Sequence, residues 1–256
     1  MEAALLPAER LQWVQDYVRR EGTARVAQLS RTLGVSEVTV RRDLELLERR
    51  GIVERTRGGA IAAQRIHGEP PYQEATARQV EEKAAIGRAA AALIEPGDTI
   101  FLSGGTTPLE VFRHITAAGV RVISNNVALA LHAPPVEVEL ILLGGVLRRR
   151  LQLLSGEFAM SMLRSVFAAK AFLATDGISL RSGVTTASPQ EAMLLRTMIE
   201  RTRGDVYVVA DHTKLGVVAD FVIAELDAID HVVVDAGITP EYRTGLRKLN
   251  VGVVVA

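Results

Sequence analysis

Four short polar stretches of this chain each follow an apolar run, and each holds groups that bind or move charge. Ser103-Gly104-Gly105-Thr106-Thr107-Pro108 reads as a glycine turn into a helix, with Pro108 at the expected first helical position. Free backbone N–H groups, two hydroxyls and a positive helix end make a phosphate cradle. The same pattern also makes an ordinary strand-to-helix turn. Ser124-Asn125-Asn126 is the second stretch, a polar loop or a plain N-cap. The third is Asp176-Gly177 with Gly183-Val184-Thr185-Thr186 and Glu191 downstream, and the fourth is Asp211-His212-Thr213-Lys214-Leu215-Gly216. Lys214, set just past an apolar run, can give a phosphate a fixed positive charge. Asp176 and Glu191 are carboxyl groups of the kind that serve as base and acid in a proton transfer.

A fifth constellation lies near the N-terminus. Ser36 is a good N-cap, and Glu37 stands where the helix dipole favours a carboxylate. At helical spacing Val40, Leu44 and Leu47 share a buried face, leaving Val38, Arg42 and Glu45 opposite, with Thr39 and Arg41 flanking. An exposed valine beside two arginines fits a face that enters a DNA major groove. There an apolar side chain meets a thymine methyl, and Arg meets guanine or phosphate.

The elements that position these groups can be read outward from them. Leu11, Val14, Tyr17 and Val18 mark a first helix over Glu9–Arg20, and Val26, Leu29 and Leu33 mark a second over Val26–Leu33. Gly34 then turns the chain toward the third. After Gly51, two strand-like segments flank the basic turn Arg55-Thr56-Arg57-Gly58-Gly59, a wing from which Arg55 and Arg57 reach backbone phosphate or minor groove. Residues 63–78, with Gly68 and Pro70-Pro71 and no clear period, read as a linker.

Beyond it, strands are expected at Thr99–Leu102, Val120–Ser124, Val138–Leu143, Ala171–Thr175, Val206–Ala210, His231–Val234 and Val251–Val255. Helical patterns fall at Val80–Ile94, Pro108–Thr116, Phe158–Val166, Pro189–Arg203 and Pro240–Lys248. The alternation predicts an α/β domain around a mainly parallel sheet, which binds ligands beyond the carboxyl ends of its strands. The division is therefore a winged helix-turn-helix over 1–62, a linker over 63–78 and an α/β domain over 79–256.

Composition narrows the classes. The chain has 256 residues, 48% hydrophobic and 23% charged, which is globular. With no cysteine, disulfides, thiolate metal sites and cysteine nucleophiles are excluded. No leader-like start and no apolar run of membrane length are present, so a cytoplasmic chain is expected. The zero net charge hides a split, because the first 65 residues carry 12 Arg against 9 Asp and Glu. A basic head on an acidic body suits a DNA reader joined to something else.

The string Val35-Ser36-Glu37-Val38-Thr39-Val40-Arg41-Arg42-Asp43-Leu44, with the Arg-Thr-Arg-Gly-Gly-Ala wing, resembles the DeoR-type repressors of sugar metabolism. The order of later motifs resembles the sensor domain of the same family: Gly-Gly-Thr-Thr, Ser-Asn-Asn, Leu143-Gly144-Gly145, Ser155-Gly156, Asp176-Gly177 and Asp211-His212-Thr213-Lys214. The resemblance covers nearly the whole chain. It implies a sensor similar to ribose-5-phosphate isomerase that binds a phosphorylated sugar or related metabolite, with no cofactor. Carried over by motif, Gly105, Thr106, Thr107 and Lys214 hold the phosphate, with Ser103 and Gly104 in the same loop. Asn125, Asp176 and Glu191 face the sugar hydroxyls. Ser103 stands where many relatives carry Asp, which removes a carboxylate. Arg148-Arg149-Arg150 stands where relatives have one Arg, and Arg148 is taken as ligand-facing.

Catalysis is the alternative. However, Ser179–Val184 lacks the Gly-rich, Lys-containing loop of the isomerase, and a fused DNA-binding head favours a sensor. A winged helix that binds protein instead is disfavoured by exposed Arg41 and Arg42 and by the basic wing. The expected partners are operator DNA, a phosphorylated sugar, and further copies of the chain in a homodimer or homotetramer, with no membrane.

Overall fold

The computed structural model describes residues 5–62, 64, 65, 68 and 70–256. Ala63, Ile66, His67 and Glu69, part of the expected linker, lie outside the described residues. The head begins with α1 (Pro7–Glu21), ended by left-handed Gly22, and continues through β1 (Thr23–Arg25) into α2 (Val26–Leu33). Gly34 adopts φ 64° and its N–H bonds back to Ser30 O, which closes the turn to α3 (Glu37–Arg49). β2 (Val53–Thr56) and β3 (Gly59–Ala62) form the wing.

The wing holds one strand more than the sequence showed. β3 pairs antiparallel with both β2 and β1. A Cβ on Gly59 would lie 2.2 Å from Ala24 O, so this close approach needs glycine. Val14, Val18, Leu29, Val40, Leu44 and Leu47 are fully buried between the three helices and the wing. Each such side chain contributes roughly 1.5–3 kcal/mol of burial. Arg10 Nε lies 2.5 Å from Asp43 Oδ2, pinning α1 to α3.

After β4 (Gln64–Arg65) and the short α4 (Tyr72–Thr76), the body starts with α5 (Val80–Ala91), β5 (Thr99–Leu102), α6 (Thr106–Arg113), β6 (Arg121–Ser124) and β7 (Glu139–Leu142). A hairpin, β8 (Val146–Arg148) and β9 (Leu153–Ser155), leads to α7 (Glu157–Arg164) and β10 (Lys170–Leu173). Then come β11 (Gly177–Ser179), β12 (Gly183–Thr186), α8 (Pro189–Glu200), β13 (Val206–Val209), β14 (Val217–Val218) and β15 (Phe221–Ala224). β16 (His231–Val234), α9 (Pro240–Lys248) and β17 (Gly252–Val255) complete the chain.

The seven expected strands form one parallel sheet in the order β17-β16-β13-β10-β5-β6-β7, with ends shifted by no more than two residues. Both faces are buried, and the pleat sorts side chains between them. Ile100, Leu102, Phe172, Tyr207 and Val209 pack with α5 and α6, whereas Phe101, Ala171, Leu173 and Val208 pack with α7, α8 and α9.

The sheet grows from β5 to β6 and β7 on one side, then crosses to β10 on the other. A crevice therefore opens at the carboxyl ends of β5 and β10, where ligands bind in open α/β sheets. An antiparallel sheet β11-β12-β15 and a parallel pair β14-β4 stand apart from it. α6 begins at Thr106 rather than at Pro108, because Gly105 at φ 114° turns the chain straight into the helix.

Candidate functional site

The exposed face of α3 is the one that the helical spacing predicts. Ser36 Oγ accepts the Thr39 N–H at 3.1 Å and lies 2.9 Å from Thr39 Oγ1, so the cap also holds a flanking side chain. Val38 is 67% exposed, beside exposed Arg41 and Arg42. Arg41 Nη2 pairs with Glu37 Oε2 at 2.6 Å, one turn earlier. Such an exposed pair is worth little and opens readily for another anion.

Arg55 Nη1 lies 3.6 Å from Glu45 Oε1 on α3, and Arg57 is exposed at the wing turn. Both wing arginines border a groove against α9, lined also by Pro240, Glu241 and Thr244. Arg25 Nη2 bonds Glu241 Oε1 at 2.6 Å across that junction and holds the carboxyl below its ordinary range.

The body has a cavity of about 370 Å³ at the crevice. Gly104, Gly105, Thr106, Thr107, Asp176, Glu191 and Lys214 line it together, so distant loops converge. Thr106 and Thr107 sit in the first turn of α6, where backbone N–H groups have no intrahelical acceptor. Across the cavity, the Thr186 hydroxyl lies 2.9 Å from Asp176 Oδ2 and 3.1 Å from Glu191 Oε2, and it can donate to either. Asp176 Oδ2 also accepts the Ala187 N–H at 2.9 Å.

Three expected residues stand outside the lining. Ser103 is fully buried, and its Oγ accepts the Ala174 N–H at 2.8 Å, stitching the end of β5 to that of β10. Asn125 is buried with its Nδ2 3.4 Å from Leu154 O. Arg148 Nη1 lies 2.9 Å from Ser188 Oγ, at the start of α8.

Sequence reasoning missed several groups. Asn126, buried, donates from Nδ2 to Gly105 O at 2.9 Å and so holds the glycine turn from behind. Its N-cap type was the only signal. Tyr72, Ala75, Arg78, Gln79 and Lys83 also line the cavity. The Lys83 ammonium donates to Ala75 O at 2.5 Å and Arg78 O at 2.7 Å. Burial pushes its pKa down, helped by Lys214 and Arg78 and opposed by Asp211. Two lysines thus face one cavity beside a helix N-terminus, an arrangement that favours a multiply charged anion.

The family model of the DeoR C-terminal sensor domain matches residues 78–236, and that of the DeoR-like helix-turn-helix domain matches residues 10–65. The chain belongs to the DeoR family. Curated relatives match this chain over most of their length. The uncharacterized HTH-type transcriptional regulator YgbI of Escherichia coli is 33% identical, covering 98% of this chain and 99% of the relative. The HTH-type transcriptional regulator GlpR of Haloferax volcanii is 34% identical, covering 98% of each. The HTH-type transcriptional repressor GlcR of Bacillus subtilis is 36% identical, covering 89% and 88%. Among solved structures, ribose 5-phosphate isomerase A of Methanocaldococcus jannaschii is 14% identical with a TM-score of 0.36, covering 52% of this chain and 53% of that one. A likeness that slight carries no argument. The chain is thus a DeoR-family transcriptional regulator, with an α/β sensor behind a winged helix-turn-helix. No helix among the described residues is long and apolar enough to cross a membrane.

Proposed function

We propose that this DeoR-family regulator is a cytoplasmic repressor of a carbohydrate-metabolism operon, released from its operator when a phosphorylated sugar enters the sensor. The observation that carries this reading is the convergence of Gly105, Thr106, Thr107, Lys83 and Lys214 on one cavity whose far wall holds Asp176 and Glu191. One end suits a phosphate and the other suits hydroxyl donors. Gly104 and Gly105 let the backbone approach the phosphate, and Ser103, Asn125 and Arg148 shape the lining from behind.

On the head, Ser36, Val38, Thr39, Arg41 and Arg42 meet the major groove, and Arg55 and Arg57 meet the flanking backbone. Residues 1–62 form the reader, 63–78 the linker and 79–256 the sensor. The linker contributes Tyr72, Ala75 and Arg78 to the cavity, so ligand contact begins before the sensor proper. Two or more copies joined through the sensor would place reading helices on half-sites about 10 bp or a multiple apart. The sugar phosphate lowers operator affinity by binding the released arrangement more tightly. The sensor binds its ligand and leaves it chemically unchanged.

The test is fluorescence anisotropy on a duplex from upstream of the chain's own gene, with triose, pentose and hexose phosphates added singly. Affinity that ignores every one of them sinks the release mechanism.

A further inference from the structure

Glu54 lies on the wing strand β2, next to Arg55, yet it is buried and its hydrogen-bond partners are sensor groups. The Ser179 hydroxyl donates to Oε1, and the Leu180 N–H donates to Oε2 at 3.0 Å. Ser179 Oγ in turn accepts the Ser182 N–H at 2.8 Å and the Arg181 N–H at 3.2 Å, so the tight turn after β11 is organised around this contact.

β11 spans only Gly177–Ser179, and the residue before it is Asp176 in the cavity wall. The centre of the strand is held from a second cavity loop. Ile178 O accepts the Gly216 N–H at 2.9 Å, and Gly216 is two residues past Lys214. The Tyr242 hydroxyl, itself buried, donates to the same oxygen and accepts Gly216 N–H at 3.2 Å. Gly216 also meets the wing directly, since a Cβ there would lie 2.3 Å from Ala62 O. β14 follows immediately and pairs with β4, the strand that leaves the wing.

We propose that Glu54 is the positioning residue through which the sensor cavity sets the wing, with β11 as the connecting strand. A ligand that engages Asp176 and Lys214 shifts the two supports of Ile178, and the Ser179–Glu54 contact carries that shift to Arg55 and Arg57. This rests on the sugar-phosphate reading for what the ligand is, not for the connection itself. Packing along the route is tight: a Cβ on Gly177 would lie 2.3 Å from Val217 O. A tightly packed strand moves as a unit rather than absorbing a displacement.

Hydrogen–deuterium exchange on the full chain tests the connection with and without ligand. Asp176→Ala removes the tie from β11 to Thr186 and Ala187. Wing amides at 53–56 and 59–62 are expected to exchange about tenfold faster in that variant, the scale of one lost charge-assisted hydrogen bond. Glu54→Ala is expected to do the same, and the double variant to exchange no faster than Glu54→Ala alone. Glu54→Gln keeps an acceptor for Leu180 and guards against misfolding; in that background Asp176→Ala must still speed the wing. Unchanged wing exchange in Asp176→Ala, or strictly additive increments in the double variant, overturns the proposal. In a parallel arm, ribose 5-phosphate and glucose 6-phosphate are added to the wild type. Absence of protection at 104–107 with both counts against the sugar-phosphate reading, while the variants still decide the connection. Protection there with an unmoved wing overturns the connection alone.

Discussion

The Glu54 carboxylate on the wing accepts the backbone N–H of Leu180 in the sensor at 3.0 Å, so reader and sensor meet through a buried acid. Burial raises the Glu54 pKa from 4.5 to about 7, with Glu48 on α3 pushing the same way. The Leu180 and Arg181 N–H groups and the Arg181 charge pull it back. On the third side Tyr242 is held well above the ordinary phenol value by burial and by Glu54.

This acid's folded pKa lies above its unfolded one, so the docked state binds the extra proton. Its contribution is fully present below about pH 4.5 and is lost as pH rises through 7. Thermal melts at pH 5 and pH 8 are expected to show the wild type losing up to about 3 kcal/mol more than Glu54→Gln over that window. Parallel pH profiles for the two proteins would show that Glu54 does not titrate there.

Arg42→Ala is expected to weaken specific operator binding by about 1–3 kcal/mol while leaving the melting temperature unchanged, because Arg42 is exposed. Arg57→Ala should weaken specific and scrambled duplexes alike and lower the salt slope by about 1. Anisotropy at several salt concentrations separates the two. Intact specific binding by Arg42→Ala would mean that another face of α3 reads the DNA.

Asp43 is the partner of Arg10 between α1 and α3, and it holds the guanidinium pKa above its usual value. Asp43→Ala leaves that guanidinium unpaired in a mostly buried place. A loss of about 3 kcal/mol is expected, read by denaturant unfolding. Arg10→Met with Asp43→Leu should restore much of it.

How much was legible follows from what each segment buries. The seven core strands are runs of Val, Ile, Leu and Phe such as Val206–Val209 and His231–Val234, buried on both faces, and such runs announce themselves. Ser36, Val38 and Arg42 could be placed because Val40, Leu44 and Leu47 fix the helix phase. β11 and β12, as Gly-Ile-Ser and Gly-Val-Thr-Thr, are too short and too small to show a period. Tyr72 and Lys83 are not legible as lining residues, because a five-residue helix after two prolines carries no usable periodicity and nothing in the pattern of α5 sets Lys83 apart. Asn125 and Asn126 share a motif, and only the path of the β8–β9 hairpin decides which one supports Gly105. Glu54 carries no local signal, since nothing near it in the sequence marks a partner 125 residues away.

Gly105 has φ 114°, and a Cβ there would lie 3.2 Å from Ala174 Cβ. Gly105→Ala is expected to cost about 1–3 kcal/mol of stability and to abolish sugar-phosphate binding, because the first turn of α6 is displaced. Lys83→Met leaves Ala75 O and Arg78 O without their ammonium donor, so it should cost about 1–3 kcal/mol of stability and weaken the ligand at least about tenfold. Calorimetry with the most effective sugar phosphate reads both, and an unaltered affinity in Lys83→Met would remove that ammonium from the site.

A sugar-phosphate sensor that governs a DNA reader must change operator affinity when its ligand binds. The most direct test is anisotropy of the full chain on its own upstream duplex, with each sugar phosphate titrated in. Binding is expected to be tighter than to a scrambled duplex and to weaken by roughly 5–150-fold with at least one sugar phosphate. Equal binding to both duplexes, or an affinity that no sugar phosphate changes, would contradict this reading.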